Sequence, residues 1–158
     1  ISVTGVQTCA LPISLGLCTV REVGHYSCRS MTGNCAALST LAEEPGYVTI
    51  NPNDAKPLGI KDQQLVWVIS RRGKVIARAS VTERTNVGAV YMTYQWWIGA
   101  CNELTVHHVD PISKTPEYKY SAVRVEPIAD QAWAEGYVVQ EYSKLKRGLA
   151  DEIGRAHV

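Results

Sequence analysis

Two segments of the chain hold the side chains best suited to binding a polar ligand, and the first is residues 21–32. It reads Arg-Glu-Val-Gly-His-Tyr-Ser-Cys-Arg-Ser-Met-Thr and follows a predicted strand. A guanidinium, a carboxylate, an imidazole and several hydroxyls together suit a polar heterocycle that carries phosphates. A surface loop whose hydroxyls cap the next helix would have the same composition, because loops collect such residues. Composition alone leaves both interpretations open.

The second segment, residues 91–105, is rich in aromatic side chains and holds two of the four Trp of the chain. Gln95, Asn102 and Glu103 interrupt its apolar run in neither a helical nor a strand period. Rings supply apolar area and amides supply directional hydrogen bonds, which is typical of the floor of a ligand site. The alternative is a core strand that runs into a loop, since most apolar clusters serve packing.

Motifs for catalysis are sparse in this sequence. It contains no Gly-x-Gly-x-x-Gly, P-loop, His-Glu-x-x-His or nucleophile-elbow pattern. His107 and His108 are neighbours without a Cys or carboxylate at ligand spacing, so a solvent-facing loop is favoured over a metal site. Ser27, Ser30 and Thr32 would be nucleophiles only beside a positioned base. We therefore predict no catalytic residue and no metal ligand.

Both ends of the chain look foreign to the rest. If residues 8–14 are written ACG TGT GCT CTT CCG ATC TC, the opposite DNA strand reads GAG ATC GGA AGA GCA CAC GT and encodes residues 152–158. Ligated sequencing adapters leave inverted flanks of this kind, and residues 3–14 resemble a translated adapter. We expect residues 1–14 and 152–158 to be non-native flanks, and residues 15–151 to form one domain.

Charge and cysteine content narrow the class of protein. Sixteen Lys and Arg against fifteen Asp and Glu give a net charge of +1, which argues against a nucleic-acid partner. No apolar run approaches the roughly 18 residues of a membrane span, so we expect no membrane insertion. Without Cys9, four cysteines remain at spacings that fit no zinc template and require no disulfide. Reduced thiols in a cytoplasmic protein are the expectation.

Short alternating segments predict a β-rich domain. Strands are expected at residues 18–23, 47–50, 64–70, 74–81, 87–93 and 120–125. Asn34 is expected to cap a helix over 35–43, Asn51 to cap a helical turn that Gly59 closes, and Asp130 to cap a helix ending near residue 149. Several strands with few helices favour a barrel or a sandwich over alternating βαβ units.

The polar loop resembles a signature of the molybdopterin oxidoreductase (DMSO reductase) family, Thr-Gly-Arg-x-x-x-His-Trp-His-Thr-Gly-x-Met-Thr. Thr19, Arg21, His25, Met31 and Thr32 match it, and Tyr26 replaces Trp. Residues 53–62 and 66–73 resemble the family's "D-A-x-x-L-G-I-x-D, strand, S-x-x-G" signature. Residues 102–105 and 118–119 follow in the same order. The chain is similar to the C-terminal molybdopterin-dinucleotide-binding domain, in particular that of formate dehydrogenase catalytic subunits of the hydrogenase-linked type.

The resemblance implies a double-psi β-barrel of the aspartate-decarboxylase-like fold, which caps two molybdopterin guanine dinucleotides that hold a molybdenum or tungsten ion. Carried over by position, the implied cofactor-binding residues are Thr19, Arg21, Glu22, His25, Tyr26, Ser27, Cys28, Tyr94, Asn102 and Lys119. Arg21 and Lys119 would compensate phosphate charge, whereas Glu22 and Asn102 can read the amide-like edges of pterin or guanine. Tyr94 offers a ring and a hydroxyl. Cys28 and Arg29 stand where much of the wider family has Thr and Gly, so Arg29 is expected either to add a contact or to face solvent.

The implied reaction, formate to carbon dioxide and two electrons, depends on residues outside this chain. A metal-binding Cys or selenocysteine and the cysteines of a 4Fe-4S cluster would lie in an N-terminal part. The implied partners are the remaining N-terminal domains of the same subunit and electron-transfer subunits, and the isolated fragment is expected to be inactive. Two alternatives stay open: the same domain of a nitrate or other oxyanion oxidoreductase, and a free-standing ligand-binding β-barrel without a redox role.

Overall fold

A computed structural model of the protein describes residues 15–40 and 44–155. In this part of the chain six strands close into one barrel in the order β1-β5-β2-β4-β3-β6. Their bounds are β1 Leu15–Val20, β2 Tyr47–Ile50, β3 Leu65–Ile69, β4 Lys74–Val81, β5 Ala89–Thr93 and β6 Tyr120–Pro127. The helices are α1 Ala36–Ser39, α2 Pro52–Ala55 and α3 Gln131–Arg155, with 3-10 turns at Thr32–Asn34 and Cys101–Leu104. Closure leaves the barrel without open edges.

Two strand pairs in the barrel are parallel, β1 with β5 and β2 with β4. The register sets Val20 opposite Thr93, so β1 and β5 end side by side. Strand β6 runs antiparallel to β1 and begins at Tyr120, opposite Cys18. Three chain segments therefore meet at one end of the barrel, where β1 and β5 finish and β6 starts.

The barrel interior is filled by alternate residues of the strands. Leu17, Val48, Val68, Val90 and Met92 are almost completely buried there. A second apolar cluster lies outside the barrel under α3 and contains Leu65, Ile76, Ile98, Ile128, Ala134 and Val138. The strands thus use both faces, which explains continuous apolar runs such as that of β3.

Local patterns predicted several elements correctly. Strands 47–50 and 74–81 are confirmed to the residue. Of the two architectures expected, a barrel or a sandwich, the structure has the barrel. The side chain of Asn51 accepts a hydrogen bond from Asn53 N at 2.9 Å, and Asp130 Oδ1 accepts one from Trp133 N at 2.9 Å, so both predicted caps are confirmed.

Several sequence expectations were wrong in their bounds or caps. Strand β1 covers residues 15–20 rather than 18–23, and α1 is described only over Ala36–Ser39. Asn34 does not cap α1, because its amide donates to Ser30 O at 3.1 Å and Cys35 occupies the cap position. Helix α3 continues to Arg155, into the predicted flank 152–158, whereas residues 1–14 and 156–158 lie outside the described residues. No helix in the described ranges is long and apolar enough to span a membrane.

Candidate functional site

The joined strand ends place Thr19 and Lys119 side by side. Thr19 is the last buried residue of β1, and its hydroxyl donates to Tyr118 O at 3.0 Å. The backbone N–H of Thr19 donates to Lys119 O at 3.2 Å, and the Lys119 ammonium lies 3.4 Å from Thr19 O. The exposed segment before β6 is thereby tied to β1, and its cation is held at the end of the barrel.

Arg21 and Tyr94 form the second pair at this end. Each lies one residue beyond the paired ends of β1 and β5, and Arg21 Nε donates to the Tyr94 hydroxyl at 2.8 Å. This hydrogen bond raises the pKa of Arg21, with smaller contributions from the Tyr118 and Tyr26 phenols. The exposed guanidinium carries further N–H donors beyond the one used here. Thr19, Arg21, Tyr94 and Lys119 are called the cationic edge below.

Asn102 lies beside this edge in the 3-10 turn Cys101–Leu104. Its side chain is exposed, whereas the neighbouring Cys101 is buried. Burial raises the pKa of Cys101 to about 12, and the Lys119 ammonium acts in the opposite direction. The hydroxyl of Ser121, two residues after Lys119, donates to Leu104 O at 2.8 Å and ties the turn that carries Asn102 to the start of β6, next to the cationic edge.

Glu22 and His25 follow Arg21 but turn towards the interior. Glu22 Oε2 accepts a hydrogen bond from Trp96 Nε1 at 3.0 Å. His25 is buried, its Nδ1 lies 3.0 Å from Thr32 Oγ1, and its ring meets the Trp96 ring edge-on at 5.8 Å. His25 Nε2 is buried and has no hydrogen-bond partner among the described residues. One polar atom of the loop is thus left for a ligand.

Tyr26, Ser27 and Cys28 form the outer turn of the loop. Tyr26 is 67% exposed and Cys28 is exposed as well. The backbone of Ser27 has a φ of 48°, in the left-handed region that few L-residues adopt. Hydrogen bonds with Ser30 lower the pKa of the Cys28 thiol. The structure therefore gathers Thr19, Arg21, Tyr94 and Lys119 at the strand ends. It places Tyr26, Ser27 and Cys28 on the rim of the loop.

A buried group that the sequence did not identify as functional lies behind the loop. Arg29 is 6% exposed, donates from Nε to Gln95 O at 2.7 Å and forms an ion pair with Glu44. Its guanidinium lies 4.5 Å from the centroid of the Trp96 ring and 5.0 Å from that of Trp97. Glu44 also accepts from Ile98 N at 2.9 Å. We call Arg29, Glu44, Gln95 and Trp96 the buried clamp.

In the sequence, the one feature that pointed to the buried clamp was Arg29 itself, which stands where much of the family has Gly. Solvent exposure was one of the two outcomes expected for this residue, and that outcome was wrong. Its partners Glu44 and Gln95 are 15 and 66 residues away in sequence, beyond the reach of any local pattern. For the aromatic segment 91–105, the packing interpretation holds at Trp96, whose side chain is almost fully buried.

The residues present fit the cofactor that the sequence resemblance implies. A dinucleotide brings phosphate charge, which exposed Arg and Lys side chains bind by charge-assisted hydrogen bonds. A pterin brings ring nitrogens and amide-like edges, and the unpartnered Nε2 of His25 can exchange a hydrogen bond with such a group. No cluster of three or more His, Cys, Asp or Glu suited to a metal ion occurs among the described residues. The arrangement suits the organic and phosphate parts of the cofactor.

Comparison with known proteins also indicates a domain that binds a molybdopterin dinucleotide. The sequence profile of a family described as "Molydopterin dinucleotide binding domain" matches residues 15–122. Formate dehydrogenase H of Escherichia coli K12 is 70% identical over 135 residues, covering 85% of this chain and 19% of that protein. The F420-dependent formate dehydrogenase 2 subunit alpha of Methanococcus maripaludis is 45% identical over 112 residues, covering 71% of this chain and 16% of that protein.

Similarity extends to a more distant relative in sequence and to a solved structure in fold. The assimilatory nitrate reductase catalytic subunit of Bacillus subtilis is 32% identical over 115 residues, covering 72% of this chain and 16% of that protein. Acetylene hydratase from Pelobacter acetylenicus superposes with a TM-score of 0.60 at 14% identity, over 72% of this chain and 18% of that one. The chain spans less than a fifth of the length of these curated relatives. The expected double-psi β-barrel is confirmed.

Proposed function

The chain belongs to the molybdopterin dinucleotide-binding domain family, and we propose that it is the cofactor-capping domain of a formate dehydrogenase catalytic subunit. The observation that carries the proposal is the cationic edge, where Tyr94 holds Arg21 and Thr19 holds Lys119 at the joined strand ends. Identity to formate dehydrogenases reaches 70%, against 32% to a nitrate reductase. This difference favours formate over nitrate or another oxyanion as the substrate of the whole enzyme.

The cationic edge binds the phosphates of molybdopterin guanine dinucleotide. Tyr94 holds Arg21 Nε, and the remaining N–H groups of the guanidinium can pair with phosphate oxygens. Lys119 adds a second positive charge, and Asn102 adds an amide that can donate to and accept from guanine or pterin. Because Arg21, Asn102 and Lys119 are exposed in this structure, the ligand itself would remove them from water.

Glu22 and His25 line the inner part of the same site. Trp96 fixes one carboxylate oxygen of Glu22, so the group is oriented before a ligand arrives. His25 Nε2, which has no hydrogen-bond partner among the described residues, would be the group available to the pterin on this side. Tyr26, Ser27 and Cys28 on the rim would offer the ligand a phenol, a hydroxyl and a thiol.

When bound, the dinucleotide and its molybdenum or tungsten ion supply the two-electron chemistry that converts formate to carbon dioxide. The residues of this chain bind the cofactor, orient it and keep water from one face of it. N-terminal domains of the same subunit would supply the 4Fe-4S cluster and the metal-binding residue, and electron-transfer subunits would accept the electrons. Residues 15–151 are proposed as the native domain, acting in the cytoplasm, where four free thiols are stable.

A domain exchange tests the proposal. Residues 15–151 replace the matching segment of E. coli formate dehydrogenase H, and formate-dependent reduction of a viologen dye is measured. We expect activity in the hybrid and none in the 158-residue chain alone. A parallel exchange into the B. subtilis nitrate reductase should give less active enzyme. Turnover by the isolated chain, or an active nitrate reductase hybrid beside an inactive formate one, would contradict the proposal.

A further inference from the structure

The side-chain amide of Gln95 joins the two segments that carry the site. It is 1% exposed, and its Oε1 accepts a hydrogen bond from Glu22 N at 2.6 Å. Its Nε2 donates to the carbonyl oxygen of His25 and, at 3.5 Å, to that of Glu22. One amide therefore fixes the backbone on both sides of the turn at Gly24.

Arg29 holds the far end of the same loop. Its guanidinium reaches the backbone carbonyl of Gln95 and the carboxylate of Glu44, and both charged side chains are more than nine-tenths buried. Separating a buried ion pair leaves an uncompensated charge in a low-dielectric site. The pair thus resists any movement of residue 29 away from the segment 95–98.

The backbone of the loop shows that it is held in place. Ser27 and Arg29 have φ values of 48° and 65°, in a region that non-glycine residues occupy only where the surroundings fix them. Residues between the two anchors, including Cys28, therefore keep a conformation that a free loop would leave. The contacts of Gln95 and Arg29 are the fixing elements on each side.

Each contact of the clamp lies next to a residue of the proposed site. Glu22 directly follows Arg21, and Gln95 directly follows Tyr94, so the Gln95–Glu22 hydrogen bond sets the spacing of the Arg21–Tyr94 pair. The Gln95–His25 bond sets the position of the imidazole whose Nε2 is unpartnered. The geometry points to Gln95 and the Arg29–Glu44 pair as positioning residues, which hold residues 22–29 in the conformation that receives the dinucleotide.

This inference rests on the proposed function and deepens it. A loop ordered during folding loses less conformational entropy when the ligand binds, which strengthens binding without any contact to the ligand. None of these three side chains needs to touch the cofactor. Their removal should weaken the affinity while the barrel stays folded.

Hydrogen exchange on the 158-residue chain tests the conformational part. The variants are Gln95→Met, which removes the amide, and the double variant Arg29→Met/Glu44→Gln, which removes both charges at similar volume. Amides of residues 22–29 should exchange about tenfold faster or more, because protection follows the local opening free energy, while β2 and β4 keep their protection. Val68→Ala in β3, separated from β1 by β6, is the matched core variant and should not loosen the loop selectively.

Affinity is the second readout, with molybdopterin guanine dinucleotide extracted from a purified molybdoenzyme as the probe and Trp fluorescence as the signal. Both loop variants should bind about tenfold more weakly than the unaltered chain, and Val68→Ala should bind as the unaltered chain does. Arg29→Lys keeps the charge opposite Glu44 but lacks the Nε donor, so it should retain intermediate affinity. It also serves if either main variant fails to fold.

The outcomes separate the two ideas. Unchanged exchange in residues 22–29, or faster exchange with unchanged affinity, would overturn the positioning role. Absence of binding by the unaltered chain would contradict the proposed function instead, and the exchange result would then decide the inference on the conformation of the loop.

Discussion

The cationic edge and the buried clamp are built from similar polar side chains but differ in what satisfies them. Arg21 is exposed and bonds a single phenol, whereas Arg29 is 6% exposed and meets a carboxylate, a carbonyl and two indole rings. The two arginines are eight positions apart along one loop. One loop thus contains both the exposed groups that we propose to bind the ligand and the buried groups that hold the loop in place.

Removal of one charge of the clamp should reduce the stability of the fold more than removal of both charges. Arg29→Met leaves the Glu44 carboxylate, 4% exposed, without its counter-charge, and we expect a loss of about 3–5 kcal/mol in the free energy of unfolding. The double variant Arg29→Met/Glu44→Gln should lose clearly less, because neither charge remains. Urea denaturation monitored by Trp fluorescence measures both. Equal losses would show that the ion pair is not the stabilising element.

Packing around Trp96 gives the next largest effect. A Cβ at Gly46 would lie 2.3 Å from Cδ1 and 2.7 Å from Cγ of Trp96, so Gly46→Ala should destabilise the fold by about 1–3 kcal/mol. Gly136→Ala is the control, because its added Cβ meets nothing within 4 Å and it lies within α3. In that helix the same change should stabilise by about 0.5–1 kcal/mol. Two effects of the same sign would be inconsistent with the packing described.

Features that depend on residues close in sequence were predicted from the sequence, whereas the buried clamp, which depends on distant residues, was not. Strands β2 and β4 and the caps Asn51 and Asp130 were predicted from the sequence because each depends on neighbours within a few residues. The residues of the cationic edge came from resemblance to a family motif. The burial of Arg29 was not predicted, since it depends on Glu44 and Gln95, which only the closed barrel brings together. The predicted position of strand β1 was three residues too late in the sequence, because the strand begins directly after the presumed flank.

At the cationic edge, Arg21→Met should change binding and leave stability almost untouched. The side chain is exposed, and surface substitutions of this kind rarely alter unfolding. Loss of its charge-assisted hydrogen bonds should weaken dinucleotide binding by about tenfold or more, as measured by calorimetric titration. Arg84→Met, which removes the same charge between β4 and β5, at the opposite end of β5, is the control. Equal losses in both variants would indicate a general charge effect and no site.

The smallest effect expected concerns thiol reactivity. Cys28 is exposed and its pKa is lowered, so iodoacetamide at mildly alkaline pH should modify it well before Cys101, whose pKa burial raises to about 12. The unfolded thiol ionises near 9.0, so the stability linked to Cys101 is fully present below that pH and is lost as pH rises towards about 12. Mass spectrometry of peptides gives the order of modification. Simultaneous reaction of the two thiols would contradict the contrast in burial.

Amide chemical-shift mapping of the ¹⁵N-labelled 158-residue chain, during titration with molybdopterin guanine dinucleotide, would locate the bound ligand on the barrel. We expect saturable shifts concentrated at residues 19–28, at Tyr94 and Asn102, and at residues 118–119, with α3 unchanged. Saturable shifts centred on α3 or on the turn between β3 and β4, or no shifts at any ligand concentration, would contradict the proposed binding site.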